Sequence, residues 1–163
     1  MGGNFMAFAF YFFVGWLGIY CFFLCKKSLS IVENIILYLL ILIVHINWSW
    51  LIYEEFLLLK FSHDPTKFVA MLINRSVITP FFILFCFNII SADSSIIKKT
   101  IYFLFTSLIL TAFVQISILF KSVYLISWNL GYDFIYFLCL LIFCQFFHLF
   151  YSNYVMEKEI RTE

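Results

Sequence analysis

Residues 64–90 begin with DPTKFVAMLINRSVITP and continue as an apolar run. Asp64 followed by Pro65 is typical of a helix start, with an aspartate N-cap and proline at the first helical position. The run is long enough to cross a bilayer, which takes about 20 apolar residues. It also contains Arg75 and Pro80, and both residues cost free energy in lipid. We therefore predict a membrane-spanning helix that carries a charged side chain within its apolar run.

The composition of the whole chain agrees with this prediction. A soluble domain is about half apolar and about a quarter charged, whereas this chain of 163 residues is 65% apolar and 12% charged. The net charge is only +1, and no basic cluster is dense enough to follow a phosphate backbone. The composition therefore indicates an integral membrane protein in contact with lipids, and it argues against a nucleic-acid partner.

Apolar runs long enough to span a bilayer occur five times along the chain. The connections between them are short, so no soluble domain is expected. The predicted fold class is all-α: a polytopic bundle of five transmembrane helices that forms a single domain over residues 1–163. The predicted spans are about residues 5–24, 31–53, 65–90, 100–120 and 134–156.

Two boundaries of the predicted spans depend on local patterns. Ser30 and Glu33 have the spacing of a capping box, which places the start of the second helix near Ile31. Residues 54–61 are amphipathic and too polar at their ends to span, so we expect an extension of the second helix at the interface. Residues 121–133 combine interfacial aromatic residues with a helix break, and we expect a surface-lying connection there.

Five spans place the two termini on opposite sides of the membrane. Basic residues favour the cytoplasmic side, and an N-terminus outside with a C-terminus in the cytoplasm puts six of them inside and three outside. The inside set is Lys26, Lys27, Lys98, Lys99, Lys158 and Arg161, and the outside set is Lys60, Lys67 and Lys121. The bacterial cytoplasmic membrane is the preferred location. An organellar inner membrane is the alternative, because 24 phenylalanines indicate an AT-rich genome of either kind.

Polar side chains on several predicted helices fall at similar depths below the outer boundary. With a rise of about 1.5 Å per residue, Arg75 lies about 10 Å deep, His45 about 12 Å, Asn47 about 9 Å and Gln115 about 7 Å. Three acidic residues lie at the boundary itself. We therefore predict a polar intramembrane layer that consists of Arg75, His45, Asn47, Gln115, Glu54, Glu55 and Asp133.

Arg75 has two interpretations within this layer. It can anchor the helix by reaching the headgroups, with Asn47 and Gln115 as hydrogen-bond contacts between helices. Alternatively, it can bind an anionic group in a pocket open to the outside, since intramembrane charges are often functional. Pro80 favours a kink nearby, because it removes its own amide and frees the carbonyl of Ser76.

The pattern of residues predicts neither a cofactor nor catalysis. The five cysteines lie in apolar runs and form no C-x-x-C pair, so we expect no metal site and no disulfide framework. A b-type haem would need two histidines at one depth, but His45 and His148 are predicted to be more than about 10 Å apart in depth. Familiar catalytic motifs are also missing from the sequence.

These observations predict a small non-enzymatic membrane protein. Its expected role is that of an accessory or assembly subunit, or of a sensor, in a membrane complex, with other subunits or further copies of itself as partners. The first alternative is an oligomeric carrier or channel for a small solute, which could be anionic, whose path uses the layer around Arg75. A second alternative is a subunit of an organellar respiratory complex.

Overall fold

The computed structural model describes residues 2–90 and 94–160, with side chains over residues 5–90 and 94–153. Five helices in these ranges are long and apolar enough to cross a membrane, so the prediction of a multi-pass helical bundle is confirmed. The helices are α1 (Gly2–Leu24), α2 (Ile31–Trp50), α3 (Pro65–Ile73), α4 (Thr79–Ile89), α5 (Ile96–Leu119) and α6 (Leu130–Ile160). The third span consists of α3, a π-helical segment (Asn74–Ile78) and α4.

The starts of the second and third spans follow the predicted caps. The Ser30 hydroxyl accepts the backbone N–H of Glu33 at 3.2 Å, and the Glu33 carboxylate accepts the N–H of Ser30 at 2.8 Å. Asp64 accepts the N–H of Thr66 at 2.9 Å and that of Lys67 at 3.3 Å. Each cap satisfies amides that would otherwise lack a partner at the helix start. Both predicted helix starts are therefore confirmed.

The third span occupies the centre of the bundle. Of its most apolar 18-residue stretch, 44% is buried inside the bundle, whereas the corresponding share is between 22% and 33% in the other four spans. Gly15 on α1 allows a close approach to it: a Cβ at Gly15 would lie 3.4 Å from the Ile73 side chain and 3.7 Å from that of Val77. The span that contains Arg75 is thus the one against which the others pack.

The third span changes its helical pitch between Arg75 and Pro80. Residues Asn74–Ile78 form one wide turn, which the N–H of Thr79 closes by donating to the carbonyl of Asn74. The carbonyl of Ser76, which Pro80 leaves without its usual donor, accepts the Tyr38 hydroxyl from α2 at 3.1 Å. Neighbouring helices often satisfy a carbonyl freed by proline in this way. The irregularity is therefore held in place by a specific contact.

The prediction that the second helix extends over residues 54–61 is wrong. A second wide turn (Leu51–Glu55) ends the helix, and Leu57 adopts a left-handed conformation with φ 51°. The chain then forms strand β1 (Leu59–Phe61), which pairs antiparallel with β2 (Val123–Leu125). The pairing satisfies backbone groups of both strands, and Leu59 and Val123 are buried in an apolar cluster with Ile52, Tyr53 and Met71.

The two strands form a β ribbon, which adds a non-helical element to the predicted all-α fold. We call this end of the bundle the ribbon end. The predicted surface-lying connection over residues 121–133 contains β2 but is shorter than expected, because α6 already begins at Leu130. The side chain of Asn129 accepts the N–H of Gly131 at 2.9 Å and so supports the earlier start.

The middle of the bundle is largely apolar, although Thr106 and Ser107 of α5 are also buried there. Its largest cluster of buried side chains unites α2, α4, α5 and α6 with Phe22 of α1. Eight members are at most 2% exposed: Leu37, Ile41, Ile83, Leu84, Leu110, Phe137, Leu141 and Cys144. This cluster separates polar side chains at the ribbon end from polar side chains at the opposite end. The functional candidates therefore fall into two groups.

Candidate functional site

A narrow cavity of about 40 Å³ lies at the ribbon end, between α2, the third span and α6. We call it the polar chamber. Spacing along the helices explains how it forms, since positions four residues apart on a helix share a face. Its polar lining residues are His45, Ser49, Tyr53, Asn74, Arg75, Thr79, Asp133 and Tyr136.

One wall of the polar chamber is a hydrogen-bonded link between α2 and α6. The Nδ1 atom of His45 lies 2.8 Å from the hydroxyl of Tyr136, and the Ser49 hydroxyl donates to the carbonyl of His45 at 2.8 Å. The ring of Tyr136 stacks on that of Trp48, with centroids 4.7 Å apart and planes 2° apart. These contacts fix the position of the imidazole.

Two opposite charges line the polar chamber without a direct ion pair. Asp133 is 7% exposed, and its Oδ2 accepts the indole N–H of Trp128 at 3.0 Å. The Nε of Arg75 and the Oδ1 of Asn74 are buried and have no hydrogen-bond partner. Over residues 5–90 and 94–153, no carboxylate lies within 4 Å of the Arg75 nitrogens. The chamber thus contains a donor and an acceptor whose hydrogen-bonding capacity is unused.

The polar chamber brings together three members of the predicted layer: Arg75, His45 and Asp133. Asn47 faces outward instead, and its amide donates to the carbonyl of Ile43 on its own helix at 2.7 Å. Two residues along a helix correspond to a rotation of about 200°, so His45 and Asn47 share a depth but not a face.

The remaining predicted residues also lie away from the chamber. Glu54 and Glu55 are exposed at the end of the wide turn that follows α2. Gln115 does not line the chamber, although its Oε1 is buried and has no hydrogen-bond partner. The predicted layer therefore contains one cluster and several separate side chains.

A second polar group, at the opposite end, was missed by sequence reasoning. Asn88 on α4 donates to the Oδ1 of Asn34 on α2 at 2.7 Å, and its own Oδ1 accepts the N–H of Leu29 at 3.3 Å. The hydroxyl of Ser28 donates to the carbonyl of Asn88 at 3.0 Å. We call these four residues the asparagine network. A single asparagine, Asn88, within the apolar run FCFNII could have indicated this group from the sequence.

The histidines of α2 and α6 lie in different groups. His45 is in the polar chamber, whereas Nε2 of His148 lies 3.4 Å from a Glu33 oxygen at the opposite end, without hydrogen-bond alignment. This separation gives no arrangement in which both could hold one haem. Within the described residues, no group of three or more His, Cys, Asp or Glu side chains is placed to hold a metal ion.

A lateral groove of about 480 Å³ lies between α2 and α6, next to the polar chamber. Trp48 and Tyr136 line both, so their stacked rings separate the apolar groove from the polar chamber. The other lining residues are Val44, Trp128, Tyr132, Ile135, Cys139, Leu140 and Phe143. The groove therefore presents an almost wholly apolar, aromatic surface.

Together, the five apolar helices, the two polar groups and the lateral groove define a multi-pass helical membrane protein. Comparison with known proteins finds no matching family model, no similar curated protein and no similar solved structure. The arguments about function therefore rest on the chain itself.

Proposed function

We propose that this protein is a non-enzymatic accessory or assembly subunit, or a sensor, that binds a partner protein within the membrane. One observation carries the proposal: a lateral groove of about 480 Å³ with an apolar, aromatic lining lies between α2 and α6. Within residues 2–90 and 94–160, the segments outside the helices are short, and the small β ribbon is their only regular structure. Helix faces therefore supply most of the surface available to a partner.

The groove is suited to a transmembrane helix of a partner subunit. Its lining residues on α6 run from Tyr132 to Phe143, which corresponds to about 16 Å, or three helical turns. Cys139 is the smallest side chain near the middle of this run, and it leaves room for close contact. Small residues at such positions allow helix backbones to approach each other in lipid.

Affinity purification in mild detergent tests the proposal. We expect the intact protein to retain one stoichiometric membrane partner, and Cys139→Trp, which fills the groove, to reduce its recovery at least tenfold. Leu108→Trp is the matched control, because Leu108 is 58% exposed on α5, away from the groove. Recovery of the protein alone, or an equal recovery of the partner with both variants, would contradict the proposal.

We further propose that the ribbon end faces the outside of a bacterial cytoplasmic membrane. The bias of basic residues supports this orientation, since the loop that contains Lys26 and Lys27 lies at the opposite end of the bundle. The N-terminus would then lie outside and the C-terminus in the cytoplasm. In this orientation the polar chamber lies in the outer half of the membrane.

A carrier or channel is the second candidate, and the unpartnered polar atoms of Arg75 and Asn74 favour it. A small solute could use the guanidinium as a binding group, and an anionic solute would also have to tolerate the carboxylate of Asp133 in the same chamber. The size of the chamber and the apolar cluster below it argue against an open path in this conformation. Flux measurements in proteoliposomes separate the candidates: Arg75→Ala and Arg75→Lys should both alter solute flux in a carrier, and unchanged flux in both would exclude a path through Arg75.

A further inference from the structure

The hydrogen-bonding groups of the polar chamber divide into those that are used and those that are not. His45, Tyr136, Ser49 and one oxygen of Asp133 have partners. The Nε–H of Arg75 remains as a buried donor without an acceptor, and Asn74, which is 6% exposed, keeps a buried Oδ1 without a donor. A buried donor or acceptor without a partner destabilises the fold, so two in one cavity indicate a ligand that supplies both functions.

The charges of the chamber restrict that ligand to a neutral molecule. Arg75 and Asp133 carry opposite formal charges and line the same cavity, so their sum is zero. An anion in the chamber would share it with the carboxylate of Asp133 and the side-chain oxygen of Asn74. A cation would meet the guanidinium. A small molecule that both donates and accepts hydrogen bonds satisfies all of these groups.

The volume of the chamber restricts the ligand further. A cavity must have a volume of roughly 10–15 Å³ to hold one water molecule. The volume of the chamber is about 40 Å³. We propose that the polar chamber binds two or three ordered water molecules that bridge the guanidinium of Arg75 to the carboxylate of Asp133 and the side chain of Asn74. Bridging waters are nearly as favourable as direct hydrogen bonds.

This inference gives Arg75 a role that does not depend on the proposed partner. The bridging waters join the wide turn of the third span to the first turns of α6, next to the β ribbon. They also lower the cost of placing a charged group within an apolar span, because neither the guanidinium nor the carboxylate is left without partners. Arg75 then acts as a positioning residue for the ribbon end.

Magnetic resonance of the protein in detergent micelles tests the inference directly. The chain contains two arginines, Arg75 and Arg161, so arginine-selective ¹⁵N labelling gives two Nε–H signals, and Arg75→Lys identifies one of them. We expect the Arg75 Nε–H to show cross peaks to long-lived bound water and slow exchange with the solvent. Loss of its signal through fast exchange, or slow exchange without a water cross peak, would overturn the proposal.

A variant links this signal to the chamber. Asn74→Leu removes the unpaired acceptor and fills part of the cavity with an apolar group, so we expect the water cross peak of Arg75 to lose at least half of its intensity. Asn47→Leu, on the outward-facing side of α2, should leave it unchanged. If both variants retain the full cross peak, the water lies elsewhere and the proposal is wrong. If Asn74→Leu fails to fold, the measurement on the intact protein still decides.

Discussion

Asn88 and Asn47 show how the same side chain takes different roles at the scale of single residues. Asn88 is 5% exposed. It forms hydrogen bonds with Asn34 on α2, with Leu29 in the loop before α2, and with its own helix. Asn47 is exposed and bonds only to its own helix. Depth within the apolar run does not distinguish them. The side of the helix on which each lies does, because only the inward side meets other helices.

A pair of substitutions measures this difference. Asn88→Leu leaves the Oδ1 of Asn34 and the N–H of Leu29 without these partners, and buried unpaired groups of this kind cost roughly 1–3 kcal/mol each. We expect the Tm in detergent to fall by about 5–10 °C. Asn47→Leu should change the Tm by less than about 2 °C. Equal Tm values for the two variants would show that the asparagine network does not stabilise the bundle.

At the scale of elements, the third span departs from regular helix at the place where it carries its charge. The wide turn Asn74–Ile78 shifts the side chains that follow, and a five-residue turn of this kind is common at functional positions. Gly15 on α1 packs directly against it. A Cβ at residue 15 would already touch the side chains of Ile73, Val77 and Ile78, so a side chain larger than alanine would have to displace them.

Two glycines on α1 provide a test with an internal control. A leucine at position 15 would have to displace the side chains of Ile73, Val77 and Ile78, whereas a Cβ at Gly18 meets nothing within 4 Å. Overpacking of this kind costs about 1–3 kcal/mol. We expect Gly15→Leu to lower the Tm in detergent by about 3–10 °C and Gly18→Leu to leave it nearly unchanged. The reverse order would show that α1 packs through another face.

The β ribbon marks the limit of prediction from the sequence at this scale. Leu59 pairs with Leu125, far along the chain, so no local pattern reports the contact. The helix period alone favoured an extension of the second helix over the same residues. By contrast, the caps at Ser30 and Asp64 could be predicted, because their hydrogen bonds join residues two or three positions apart.

At the scale of the whole molecule, the number of spans followed from hydropathy because length and composition decide whether a segment can cross a bilayer. Counting residues also predicted that Arg75, His45 and Asp133 lie toward the same end of the bundle, and all three line the polar chamber. The set of polar residues that share a cavity could not be predicted in this way, since it depends on the rotation of each helix about its axis. That rotation is set by packing between helices, as the outward orientation of Asn47 illustrates.

We expect a bundle of five spans to expose its two ends on opposite sides of the membrane, and thiol labelling in intact cells tests this most directly. In a variant whose five native cysteines are replaced by alanine, His63→Cys lies in the exposed loop at the ribbon end and Lys26→Cys in the exposed loop at the opposite end. A membrane-impermeant reagent should label residue 63 in intact cells and residue 26 only after permeabilisation. Labelling of both residues in intact cells, or of neither until permeabilisation, would contradict a bundle that spans the membrane, and the reverse pattern would contradict its orientation.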